Sequence, residues 1–249
     1  MTASLAPHTQ AAPPTPSALP ASIEVNQVHE THEEASSAGP GRKALITRDD
    51  IVQAALKLVG PHRSVSSLSL REVAREAGIA PNSFYRQFRD MDELAVALIE
   101  LAGVSLRSII GEARRRSSGG ASVVRSAVMA FMDQLSSGDV LLHILLREGT
   151  VGSDAFKRAV DRQLSFFEEE LRQDLIRLAE ANGTGLYEPA LTAKAITRLV
   201  FAIGSTAMDL PHAKLPELTE QLVVMVRMIV TGTQTMAVVG SPDLPPNKA

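Results

Sequence analysis

The chain has 249 residues, of which 45% are hydrophobic and 21% charged, the balance of an ordinary globular protein with one large or two coupled domains. It contains no cysteine, which excludes disulfides, thiolate zinc sites and cysteine nucleophiles. Aromatic residues make up only 4% and tryptophan is absent, so the core must come from Ala, Leu, Val and Ile, which suits helix packed on helix.

Charge is distributed unevenly. Residues 1–41 carry four acids and no Lys or Arg, whereas residues 42–89 carry nine bases against four acids; the remainder is net acidic. One basic segment on an acidic chain is the footprint that a phosphate backbone selects. No signal-peptide pattern opens the sequence. The most apolar windows, 199–208 and 222–230, are shorter than a membrane span, and Arg227 interrupts the second. The expectation is a soluble, cytoplasmic protein without membrane insertion.

Residues 1–41, rich in Pro, Ala, Ser and Thr, read as a disordered tail. His29, Glu30, His32, Glu33 and Glu34 within it miss the H-E-x-x-H spacing and read as solvated charge. The first helix starts after Thr47, whose hydroxyl forms a capping box with Asp50. Ile51, Ala54, Ala55 and Leu58 then share a face, and Gly60-Pro61 closes the helix. Ser69 with Glu72 opens a second helix along Leu70, Val73, Ala74 and Ala77. Gly78 stops it in a left-handed turn. Pro81 sits at the first position of a short third helix, where its missing N–H costs nothing. A third box, Asp90 with Glu93, opens a long helix to about Arg116. Further helices are predicted near 121–136, 139–149, 153–182, 189–209 and 214–239. The clearest has Phe156, Val160, Leu164, Phe167, Leu171, Leu175 and Leu178 spaced alternately by four and three, with Gly183 as its cap. Residues 240–249 read as a loose tail. The predicted fold is all-α: a three-helix helix-turn-helix over 42–89, and a helical ligand-binding and dimerisation body over 90–239.

On the wheel of the short third helix, Phe84 and Phe88 point inward while Asn82 and Arg86 point away, flanked by Ser83 and Tyr85. A helix this short buries little but presents a hydrogen-bonding face, as a recognition helix in the major groove does. Arg86 suits a bidentate pair with guanine and Asn82 one with adenine. Ser83 and Tyr85 suit phosphates or a thymine methyl. Ser69, Arg71 and the amides opening the second helix suit a phosphate, and Arg42, Lys43 and Arg48 suit an arm along the backbone.

The run S-L-R-E-V-A-R-E-A-G-I-A-P-N-S-F-Y-R-Q-F, Ser69 to Phe88, resembles the DNA-binding domain of TetR-family repressors. It is most similar to the subgroup that represses unsaturated fatty-acid synthesis or desaturation. L-L-R-E-G-T at 145–150 and the segment 156–171 resemble the body of that subgroup less sharply. The resemblance implies a homodimer on double-stranded, palindromic operator DNA, with contacts that include Pro81 and Gln87. The subgroup usually has His at position 87, and a base is common at position 49, where this chain has Asp49. It also implies a long-chain acyl-CoA or acyl carrier protein thioester as effector, and no cofactor.

Two stripes, Ile196, Leu199, Val200, Ile203 and Ala207, and Leu218, Leu222, Met225, Val226 and Ile229, read as a dimer interface, the alternative being closure of the subunit's own core. Phe131, Leu145, Phe166 and Phe201 are candidate pocket walls. Arg114, Arg115 and Arg116 read as a solvated helix end or as partners for ligand phosphates. The expected mechanism is a population shift, in which the ligand favours one spacing of the DNA-binding heads. Without G-x-S-x-G, a Gly-rich phosphate loop or H-E-x-x-H, and with His62, His143 and His212 scattered, the chain reads as no enzyme. The alternative keeps DNA binding but senses another lipophilic compound for an efflux or catabolic operon.

Overall fold

The computed structural model describes residues 46–60, 63–117 and 120–239, all within one compact unit and, among these, helical with no strand. The tails at 1–41 and 240–249, Arg42, Lys43, His62 and the 29–34 cluster lie outside the described residues.

Helix α1 spans Arg48–Val59, α2 Leu70–Glu76 and α3 Pro81–Phe84, with a 3-10 turn at Val65–Ser67 between the first two. Two of the three expected capping boxes form in full, at Thr47/Asp50 and Ser69/Glu72. Gly78 adopts φ 67°, the left-handed conformation that glycine takes at least cost. It lets the Ile79 amide turn back onto the Ala74 carbonyl at 2.9 Å. The body holds α4 (Met91–Arg116), α5 (Gly120–Ser136), α6 (Val140–Val151), α7 (Asp154–Ala181), α8 (Pro189–Ala207) and α9 (Leu215–Val239).

The third box forms by half. Asp90 caps α4 by accepting from the Glu93 amide at 2.8 Å, but the Glu93 carboxylate accepts from the Arg89 amide and from Arg48 instead of Asp90. Helix α4 is the common beam: its first turns pack on α1 and the 3-10 turn, and the rest packs on α5, α6 and α7. At Gly103 it runs so close to α7 that an added Cβ would strike the buried side chain of Gln163, which accepts from Arg107 at 2.6 Å.

Helix α4 and the segment His212–Val239 are each long and apolar enough to cross a membrane by length and composition alone, which the shorter sequence windows understated. Half of α4's apolar window is buried in the protein's own core, against 17% for the C-terminal segment. In the two stripes expected at a dimer interface, Ile196, Ala207, Leu222 and Val226 are buried within the subunit and the other members partly so. The outward face of α9 carries Val224, 53% exposed, and Met228, 68% exposed.

Candidate nucleic-acid interface and its link to the body

Phe84 and Phe88 anchor α3, at 0% and 1% exposure with ring centroids 5.6 Å apart. Burying two phenylalanine side chains contributes about 3–6 kcal/mol, ample to hold a four-residue helix that could not persist alone. Asn82, Tyr85 and Arg86 are exposed away from this pair, Tyr85 at 59% with its ring edge-on to Phe84, and Pro81 at the start of the helix is exposed as well. Ser83 is half-buried. The face therefore combines a fork of guanidinium donors, an amide and a phenol, all in reach of solvent.

Two residues expected at DNA make contacts within the head. Arg48 donates from Nη1 to the Gln87 carbonyl and to Glu93, both at 2.9 Å, and its guanidinium lies 4.0 Å from the centroid of the Phe88 ring. Gln87 donates from Nε2 to the Ile46 carbonyl at 3.0 Å. Together they tie the start of α1 and the end of α3 to the first turn of α4. The Ser69 hydroxyl is likewise engaged, donating to Glu72 at 2.8 Å and accepting from its amide. Hydrogen bonds from the Ser69 amide and hydroxyl, and then from Arg63, hold the Glu72 carboxyl down at about 2, well below its ordinary 4.5. A carboxylate thus stands at the start of α2 where the sequence suggested a phosphate. Arg71 and Arg75 are exposed on α2 beside it.

Sequence reasoning missed Glu148. It is fully buried near the end of α6, and its Oε1 accepts from the Ser64 hydroxyl at 2.6 Å and the Val65 amide at 2.8 Å. Its Oε2 has no hydrogen-bond partner. A body helix therefore grips the turn between α1 and α2. The available signal was an acid in the last turn of a largely apolar helix, against the helix dipole.

Inside the body α4, α5, α7, α8 and α9 enclose an apolar cavity of about 80 Å³. Phe131 and Phe201 line it, ring centroids 5.5 Å apart, and Phe167 joins them 5.3 Å from Phe201. The other two expected walls lie away from this cavity. Phe166 is 52% exposed and lies under the Arg107 guanidinium, because its neighbour Phe167 takes the inward position and successive helical residues diverge by about 100°. Leu145 is buried but lines a separate groove with Lys157, Arg158, Asp161 and Arg198. Arg114 does not end in solvent: only 10% of its side chain is exposed, and its Nε lies 2.6 Å from Asp174 at the cavity wall. Arg115 and Arg116 pair with Glu112 on their own helix. His143 places Nδ1 2.7 Å from the Asp139 main-chain carbonyl.

Residues 51–98 match the family described as bacterial regulatory proteins, tetR family. Among solved structures, a transcriptional regulator from Rhodococcus sp. Rha1 is similar over 76% of this chain and 98% of that one, with TM-score 0.62 and 19% identity. The fatty acid degradation regulator FadR from Bacillus halodurans covers 71% of this chain and 94% of its own, with TM-score 0.57 and 15% identity. AibR, in complex with isovaleryl coenzyme A and operator DNA, covers 72% and 97%, with TM-score 0.54 and 12% identity. These structures share the fold. The family match covers the DNA-binding head of that family, and the likeness to these structures covers the fold of the rest.

Proposed function

We propose that this protein is a TetR-type regulator: a homodimeric repressor of lipid metabolism, in particular of unsaturated fatty-acid synthesis, whose operator affinity is set by a long-chain acyl thioester in the body. The observation that carries DNA binding is the division of α3 into a buried phenylalanine pair and an exposed face of Asn82, Tyr85 and Arg86. Asn82 and Arg86 read adenine and guanine in the major groove, Tyr85 and Ser83 fix the backbone, and Arg71 and Arg75 on α2 add positive charge for neighbouring phosphates. Arg48 and Gln87 set the pitch of α3 and act as positioning residues. Two heads must meet major grooves about 34–36 Å apart on a palindrome. The exposed Val224 and Met228 face of α9, which leaves most of that helix uncovered, supports a second copy there.

The lipid reading rests on the cavity, apolar except for Arg114, Asp174 and Thr197. A chain needs an apolar channel and little polar recognition. At about 80 Å³ the cavity is smaller than one of about 150 Å³ that takes up benzene. A long chain therefore enters only as α4 and α7 part. That couples ligand to DNA, because α4 carries the head at its other end and Glu148 grips the head from α6. The ligand selects whichever spacing of heads accompanies the wider body, and its effect is limited by its affinity difference between the two states. A fold shared with FadR and with AibR bound to isovaleryl coenzyme A supports an acyl effector. The small present volume favours one second reading, a compact lipophilic effector of an efflux or catabolic operon.

The test is fluorescence anisotropy of an operator selected from random DNA by this protein, titrated with saturated and unsaturated long-chain acyl-CoA. Different responses to the two chains support a sensor of lipid unsaturation. Indifference to both refutes the acyl effector and leaves the second reading. Failure to select any DNA at low salt refutes the DNA-binding role.

A further inference from the structure

The apolar cavity has a charged neighbour. On the outer side of α4 and α7 lies an open groove of about 800 Å³ lined by Arg107, Arg114, Arg115 and Arg177 against Glu170 and Asp174. Arg114, Val123, Asp174 and Leu178 line both spaces, so the Arg114–Asp174 pair is the partition between them. That partition is unusual in two ways. Its side chains are only 10% and 17% exposed, and a buried ion pair stabilises a fold little, where a pair of apolar side chains would seal the wall at lower cost. The pair is also imperfect: the buried Arg114 Nε lies 2.6 Å from Asp174 Oδ2, yet its N–H makes no hydrogen bond. Asp174 is shared with Arg177, and Glu170 with Arg107 and Arg114. The guanidinium groups outnumber the carboxylates that hold them.

We infer that this partition is the headgroup site of an amphipathic ligand: an anionic group displaces Asp174 from Arg114 in the arginine groove, and the attached apolar chain passes into the cavity. The inference rests on the lipid reading above and adds the chemical class of the head, a carboxylate or phosphate ester. Arg177 and Arg115, 71% and 68% exposed, are free of core packing and supply the groove's positive field. Their guanidinium forks match the planar oxygens of either anion. Displacement at Arg114 releases α7 from α4 at the point where the cavity must widen.

The test is isothermal titration of the full chain with dodecanoate, dodecyl phosphate, dodecanoyl-CoA and dodecanol, each below its micelle concentration. The anionic ligands are expected to bind at least tenfold more tightly than the alcohol, with the difference shrinking as salt rises. Arg115→Gln with Arg177→Gln should weaken the anions at least fivefold and leave dodecanol unchanged. Asp174→Asn, which removes the competing carboxylate, should tighten the anions relative to dodecanol, an inversion that loss of structure would not produce. Melting curves of both variants verify folding. Tight dodecanoate and dodecyl phosphate binding identifies a free anionic amphiphile, and preference for dodecanoyl-CoA identifies the thioester; either supports the site. Equal binding of all four ligands overturns the headgroup site while keeping the apolar cavity. No binding of any of them overturns the lipid reading along with it.

Discussion

Truncating Glu148 to alanine leaves the Val65 amide without its acceptor at 2.8 Å, in a residue that is 2% exposed. An orphaned buried donor costs about 1–3 kcal/mol, and a hydrogen bond to a charged group contributes about 1.5–3 kcal/mol. The Ser64 hydroxyl loses less, because Ser66 Oγ remains 2.6 Å away as a partner. Removing a buried carboxylate with an unsatisfied Oε2 recovers part of the loss by relieving desolvation. The net destabilisation should be about 2–3 kcal/mol, which for a chain of this size lowers Tm by roughly 4–12 °C. A double-mutant cycle with Ser64→Ala, read by urea unfolding, should give a coupling of about 0.5–1.5 kcal/mol between the two side chains. The same Glu148→Ala protein should still bind operator DNA, since α3 is untouched, but with a weaker response to the body's ligand. A Tm within 1 °C of the parent and a coupling indistinguishable from zero would refute the claim that α6 holds the head through this carboxylate.

Arg86→Ala should weaken operator binding by about 1–3 kcal/mol per half-site, about 5- to 150-fold in Kd, without changing Tm, because its side chain is exposed; Arg48→Ala should instead lower Tm, and anisotropy beside thermal melts separates the two. Gly204→Ala places a Cβ 2.6 Å from Phe131 Cζ, so the ring must move toward the cavity. Overpacking of about 1–3 kcal/mol, offset by about 1 kcal/mol of helix propensity, leaves a net loss of about 0–2 kcal/mol, while uptake of apolar ligands by titration falls at least fivefold. The Glu72 carboxyl, held at about 2 by Ser69 and Arg63, has a folded pKa below its unfolded one, so it stabilises the head above about pH 4.5 and loses that contribution as pH falls toward 2. The Tm difference between parent and Glu72→Gln should therefore be full at pH 6 and shrink steadily below 4.5; a difference that grows on acidification contradicts the capping role.

Much of the architecture was written locally. The boxes at Thr47/Asp50 and Ser69/Glu72, the left-handed Gly78 and the proline opening α3 each need only residues three or four apart, and they form as the sequence implies. The apolar rhythm from Phe156 to Leu178 likewise places one face of α7 inward. What local pattern left open were the partners of charged side chains distant in sequence. Arg48 and Arg86 are the same side chain in neighbouring basic contexts, but Arg48 is engaged by Gln87 and Glu93, 39 and 45 residues away, while Arg86 stays on the surface. Glu93 left its expected box because Arg48 lies beside it. The grip of Glu148 spans 83 residues to Val65, and Arg114 meets Asp174 across two helices. Helix capping and periodicity are properties of a contiguous segment, so the sequence alone determined where helices start, stop and turn their apolar faces. Which charged groups stay exposed, which bind one another and which wall a cavity was decided only when tertiary packing chose their partners.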